Sequence, residues 1–262
     1  MLDKFKVKTY IPSLSSFKYT EEITNRNLLY MNKFLSSNDE EGFSDYIDSI
    51  LPFKDINSFD KFFILLCLRS TCIGDILNLK INIKDQLPTT LKLSIKEVIK
   101  KLIDFELTKI PDFEKGDFNV KFKVPSSLYH KNLLFLLYDI IEDINVKDKL
   151  RSIRLMSEKE KMTVIKKINK DILKDIKQHI VNNTQVVDIT RMENFNNIKI
   201  CFTNNLSFKL IKIFFSQNIS GFYYKLYHST QKINLSYESF LDITPAEADL
   251  LLTIHKTVNA IK

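Results

Sequence analysis

A chain of 262 residues, 27% charged and 44% hydrophobic, has the length and composition of a folded globular protein, which excludes wholesale disorder. The net charge of +7 invites a nucleic-acid reading, yet only five of the 39 basic residues are arginines: Arg26, Arg69, Arg151, Arg154 and Arg191. Arginine is the side chain best suited to bidentate phosphate and base contacts, so the charge argues weakly for that partner. Alanine is confined to Ala246, Ala248 and Ala260 while Ile, Asn and Lys abound, a pattern that AT-rich codon usage produces by itself.

Cys67, Cys72 and Cys201 are odd in number and lack metal-type spacing, so they are expected to be reduced, mostly core thiols in a cytoplasmic protein. The start of the chain reads as a lysine-bearing alternating strand rather than an apolar export signal. The longest apolar runs, Phe62–Leu68 and Leu133–Leu137, are far shorter than a membrane span.

In chain order, alternation predicts a hairpin from Phe5–Ile11 and Phe17–Glu21, with the turn at Pro12–Ser16. Thr24 is placed to cap a helix running to about Leu35, and Asp39–Leu51 reads as a second. Ser58 is read as the cap of a third, Phe59 to about Ile73, with Gly74 as its left-handed stop. Leu77–Ile83 alternates as a strand, and Ser94 with Glu97 opens a helix of roughly Ile95–Phe105.

Ile110–Asp117 gathers Pro111, Gly116 and three acids and is the best candidate for a boundary. A strand ending at Pro125-Ser126 follows, then an expected helix from about Ser127 to Ile144. Ser157 and Glu160 start a long helix with Met162, Ile165, Ile168, Ile172, Ile176 and Ile180 on one side. Val186–Ile189 and Ile198–Phe202 are short strand candidates, and helices are expected near Ser207–Phe215 and Ile219–Gln231. Thr244-Pro245-Ala246-Glu247 opens the last helix with a cap, a first-turn proline and a capping-box acid.

Segments also recur. Phe5-Lys6-Val7-Lys8-Thr9-Tyr10-Ile11-Pro12-Ser13 returns as Phe118-Asn119-Val120-Lys121-Phe122-Lys123-Val124-Pro125-Ser126, and Leu93-Ser94-Ile95-Lys96 as Leu206-Ser207-Phe208-Lys209. The expectation is a helix-dominated α+β protein in two related halves, residues 1–112 and 113–262, each with a short hairpin or small sheet packed by helices.

Chemistry is hard to assemble from this chain. His130, His179, His228 and His255 are scattered and read as surface or helix-end residues rather than metal ligands. Gly42, Gly74, Gly116 and Gly221 are isolated, so no phosphate-cradling loop forms. No serine or cysteine sits in a nucleophile elbow. No catalytic, cofactor or metal residue is therefore expected.

Lys159, Lys161, Lys166, Lys167, Lys170, Lys174 and Lys177 motivate the alternative of a nucleic-acid-binding accessory protein. They alternate with Glu158, Glu160, Asp171 and Asp175, the pattern of a solvated face laced with ion pairs. One stretch exceeds what a core stripe requires: Phe214, Phe215, Phe222, Tyr223, Tyr224 and Tyr227. Part of it belongs to the core. Phe222, Tyr223, Tyr224 and Tyr227 are the candidate partner-binding residues, because tyrosine joins an apolar ring to a polar tip.

Four short motifs carry a resemblance. They are Ile11-Pro12-Ser13 before Ile23-Thr24-Asn25-Arg26, the turn Leu68-Arg69-Ser70-Thr71-Cys72-Ile73-Gly74-Asp75, Ser220–Tyr227, and Ile243–Glu247. In these the chain resembles the baseplate hub proteins of T-even-like contractile-tailed phages, including members regarded as hub assembly chaperones. The resemblance implies a non-enzymatic hub component or assembly factor without cofactors, working in the host cytoplasm or the virion tail, with other hub or tail proteins as partners.

Overall fold

Local chemistry explains most of the elements in the computed structural model, which describes residues 6–53, 56–81, 89–146, 149–188, 199–201, 208–216 and 219–260. Strands β1 (Lys6–Ile11) and β2 (Ser16–Glu21) form the expected antiparallel hairpin around a short 3-10 turn at Pro12–Leu14. Helix α1 (Asn25–Ser37) starts at Thr24, whose side chain and that of Asn27 form a reciprocal capping box. Helix α2 (Glu40–Ile50) is capped by Asp39, and α3 spans Ser58–Cys72.

The cap of α3 differs from expectation. Asn57 Oδ1 accepts from the Asp60 amide (2.9 Å) and Asp60 accepts from the Asn57 amide (3.2 Å), while the buried Ser58 hydroxyl has no partner among the described residues. The reason is the residue at the third helical position: Asn57 finds an acid there, whereas Ser58 would find Lys61, which cannot accept. Gly74 stops α3 as expected, at φ +140°, its amide donating to the Arg69 carbonyl.

Strands β3 (Ile76–Ile81) and β4 (Thr89–Ser94) pair in a second hairpin, and α4 (Ile95–Ile103) begins at the Ser94 cap. The boundary candidate holds a tight hairpin, β5 (Phe113–Lys115) against β6 (Phe118–Phe122), turning at Gly116 with φ +57°.

The helix expected over 127–144 is corrected to a loop, a short α5 (Leu133–Ile140) and strand β7 (Ile141–Val146). Asn132 caps α5, and Ile141–Val146 is drawn into the sheet by β6 on one side and β8 (Lys149–Ser152) on the other. Periodicity cannot separate such an apolar run into helix and strand. The sheet order is β5-β6-β7-β8, antiparallel throughout.

The single long helix expected from Ser157 is also corrected. The Ser157–Glu160 box opens α6 (Glu158–Lys166), and Asn169 then caps a separate α7 (Lys170–Asn182). The isoleucine stripe survives the break, with Ile165, Ile168, Ile176 and Ile180 buried together.

The two short strands read from the sequence are β9 (Val186–Asp188) and β10 (Lys199–Cys201), which pair antiparallel, followed by α8 (Phe208–Phe215), α9 (Ile219–Lys232), an unexpected α10 (Tyr237–Asp242) and α11 (Pro245–Ala260). The expected strand ends at Phe5, Ile83, Ile189, Ile198 and Phe202 lie outside the described residues. The fold is α+β: small antiparallel sheets with helices.

By contacts the chain forms two units. The first takes Met1–Pro52, Phe63–Asp104 and Lys209–Lys262, and the second takes Phe53–Phe62 and Phe105–Phe208. In the first, the C-terminal helices return to the start of α1. The Asn25 amide donates to the Ile243 carbonyl (2.9 Å), and its side chain donates to the Phe240 carbonyl (3.0 Å). Arg69 is buried with its guanidinium serving the Phe214 carbonyl (2.6 Å) and that of Gly74, and burial lowers its pKa, opposed by the charge of Asp75.

In the second unit the four-stranded sheet, α5, α6 and α7 share one apolar core, including Val120, Phe122, Leu137, Ile140 and Ile144. A polar knot sits beside it. The nearly buried Asp139 carboxylate accepts from the amides of Ser126 (2.8 Å) and Ser127 (3.0 Å), from the Ser126 hydroxyl, and pairs with His130 Nε2 (2.9 Å). Burial opposes ionisation here, but the hydrogen bonds from His130, Ser126 and Ser127 prevail and hold the Asp139 carboxyl well below the usual range. His130, expected at the surface, is thus a buried structural partner. His179 lies half-buried, Nε2 2.7 Å from the Pro111 carbonyl and its ring against Phe113 and Phe122.

Candidate partner-binding surface

Helix α9 sorts its aromatic residues by face. Phe222, Leu226 and Ser229 recur at helical spacing on the inner side, where Phe222 is 6% exposed and meets the Phe240 ring of α10 edge-on at 5.6 Å. Tyr223, Tyr224 and Tyr227 point the other way and are 56%, 58% and 61% exposed. The structure therefore brings together three of the four candidate residues on one exposed face and places Phe222 in the core beneath them.

The tyrosine face is held in place from several sides. His228 lies between two of the rings, 4.1 Å from Tyr224 and 5.4 Å from Tyr227. Partial desolvation, then Lys232 and Lys256, lower the His228 pKa. Lys225 on the same helix pairs with Asp249 of α11 (2.8 Å). Helix α10 is tied to α1 by Arg26, which serves both Glu238 (2.6 Å) and Asp242 (3.1 Å).

Helix α11 adds a feature that the sequence reading missed. It buries only Pro245 and Ala248, while Leu250, Ile254 and Val258, four residues apart, form an exposed apolar stripe. Its signal, the four-residue spacing, reads equally well as core. The arrangement suits recognition: apolar rings and branched side chains backed by a packed helix pair.

Among the described residues, no group of three or more His, Cys, Asp or Glu side chains is arranged for a metal ion, and no helix is long and apolar enough to cross a membrane. Burial pushes the Cys67 thiol up to about 12 and the Cys72 thiol up to about 11. Asp175 of α7 pairs with Lys115 of β5, and the Lys161 ammonium of α6 lies 4.8 Å from the centre of the Tyr138 ring.

Comparison with known families decides the class. The model of the T4 bacteriophage base plate protein family matches residues 15–215 of the 262. The chain belongs to this family. No curated protein and no solved structure matches it significantly. The baseplate protein is thus a structural component of a T4-like phage tail baseplate, with other phage tail proteins as its partners. Its tyrosine face and the α11 stripe lie beyond the matched span, in residues 219–260.

Proposed function

We propose that this baseplate protein is a component of the baseplate hub, or a factor that assembles the hub, and that it acts by protein–protein contact without catalysis. The observation that carries this reading is the outward set of Tyr223, Tyr224 and Tyr227 on a helix anchored by buried Phe222. Aromatic side chains over a rigid support are what interface centres are built from, and about 800 Å² per partner suffices for a specific contact. Family membership supplies the setting, the tail baseplate, and the host cytoplasm during assembly follows from the same reading.

The test is co-expression with the other hub proteins of the same phage. Co-elution on gel filtration is expected, and a Tyr223→Ser, Tyr224→Ser, Tyr227→Ser variant should elute alone while retaining its thermal unfolding midpoint. Separate elution of the wild-type protein from every hub partner would remove the reading. Mass spectrometry of purified tails against infected-cell lysate separates a resident subunit from a departing chaperone. The nucleic-acid alternative draws no support from α6 and α7, whose lysines alternate in sequence with Glu158, Glu160, Asp171 and Asp175, and a salt titration of DNA binding checks it.

A further inference from the structure

The helices that follow the matched span are unevenly charged. Residues 219–260 hold four acids, and each is engaged. Arg26 takes Glu238 (2.6 Å) and Asp242 (3.1 Å), Lys225 takes Asp249 (2.8 Å), and Glu247 accepts from the Thr244 amide (2.7 Å). The lysines of the same stretch are Lys225, Lys232 and Lys256. Lys232 and Lys256 are exposed, and neither takes part in an ion pair among the described residues.

Both of these lysines stand at the tyrosine face. Tyr224, His228 and Lys232 follow one another four residues apart, so they share one side of α9, and the Tyr224 and His228 rings meet at 4.1 Å. Tyr227 reaches the same imidazole at 5.4 Å. Lys256 of α11 acts on that imidazole together with Lys232, lowering its pKa, which places both ammonium groups near one ring.

The polar groups around these rings are chiefly donors. The phenol hydroxyls of Tyr223, Tyr224 and Tyr227 have no hydrogen-bond partner among the described residues and can donate, and an ammonium group can only donate. Helix α9 carries no acid to compete for them. Exposed rings set among donors and positive charge are the complement of a chain bearing carboxylates.

We propose that this face docks an acidic segment of the tail partner, whose Asp or Glu side chains pair with Lys232 and Lys256 while Tyr224 and Tyr227 cover its apolar side chains. This rests on the reading of α9 as a contact face and adds the chemistry of what it contacts. A protein segment fits better than a nucleic acid. A tail baseplate supplies protein partners, and no arginine, the side chain best matched to phosphate, lies in residues 219–260.

The probe is a short peptide alternating Glu with Tyr, titrated into the isotope-labelled full chain, with its Gln–Tyr twin as the uncharged control. Saturable amide shifts in residues 223–232 and at Lys256 are expected with the acidic peptide alone. Lys232→Gln combined with Lys256→Gln should weaken that binding about tenfold, whereas Lys232→Arg with Lys256→Arg should retain it. Both side chains are exposed, so the circular dichroism of these variants should match the wild type. No saturable shift, equal shifts with the twin, or undiminished binding in the glutamine variant would overturn the proposal. So would a thymidine oligonucleotide that binds the same residues more tightly than the acidic peptide. Acid-selective binding without hub co-elution removes the hub reading alone, and hub co-elution indifferent to both salt and the glutamine substitutions removes this proposal alone.

Discussion

Replacing Asp139 by Asn tests whether the polar knot of the second unit holds its loop. The carboxylate serves four donors, the amides of Ser126 and Ser127, the Ser126 hydroxyl and His130 Nε2, with Lys123 3.8 Å away. An amide of the same shape keeps one acceptor oxygen and turns an NH₂ group toward donors it cannot satisfy. Losing two charge-assisted hydrogen bonds at a nearly buried site should cost about 2–4 kcal/mol. Urea unfolding at neutral pH measures the total, and amide exchange at Ser126 and Ser127 reports the loop itself.

The pH dependence adds a signed test. The folded-state pKa of Asp139 is depressed, so its contribution is present above the unfolded carboxylate value, about 3.9, and is lost as pH falls from there toward the folded value. The stability gap between wild type and Asp139→Asn should therefore be full above about pH 5 and shrink on acidification below about pH 4. A neutral-pH gap under about 0.5 kcal/mol, or a gap that widens in acid, would refute the reasoning.

Three further outcomes follow from the packing. Phe222→Ala should destabilise the protein by about 3–4 kcal/mol in thermal unfolding, because the ring is buried against Phe240 and the cavity cannot collapse freely. Gly74→Ala should cost about 1–2 kcal/mol in chemical denaturation, although an added Cβ meets nothing within 4 Å, because φ +140° is strained for any L side chain. Cys67 and Cys72, with thiol pKa values pushed up to about 12 and about 11, should resist iodoacetamide at pH 8 while folded and react promptly in denaturant, as mass spectrometry will record.

Much of the local architecture was readable because its causes are local. Thr24, Ser94, Ser157 and Thr244 each sit beside the amides they cap, and Gly74 carries its backbone freedom wherever the chain goes. The Asn57 cap is equally local, its signal being the acid at the third helical position. The aromatic surplus near residue 222 is also plain in the sequence, although which of its rings face out is not.

Tertiary structure decided the rest. Ile141–Val146 is a strand because β6 and β8 flank it, and an apolar run holds no record of which neighbours will claim its backbone. Phe222 faces inward while Tyr223, Tyr224 and Tyr227 face out because Phe240 lies on one side of α9 only. The return of α10 to α1 through Asn25 and Arg26 joins residues more than two hundred positions apart. Cap preference and side-chain period act over a few residues, so they determine elements; closing a loop of that length is decided by what the whole chain can bury.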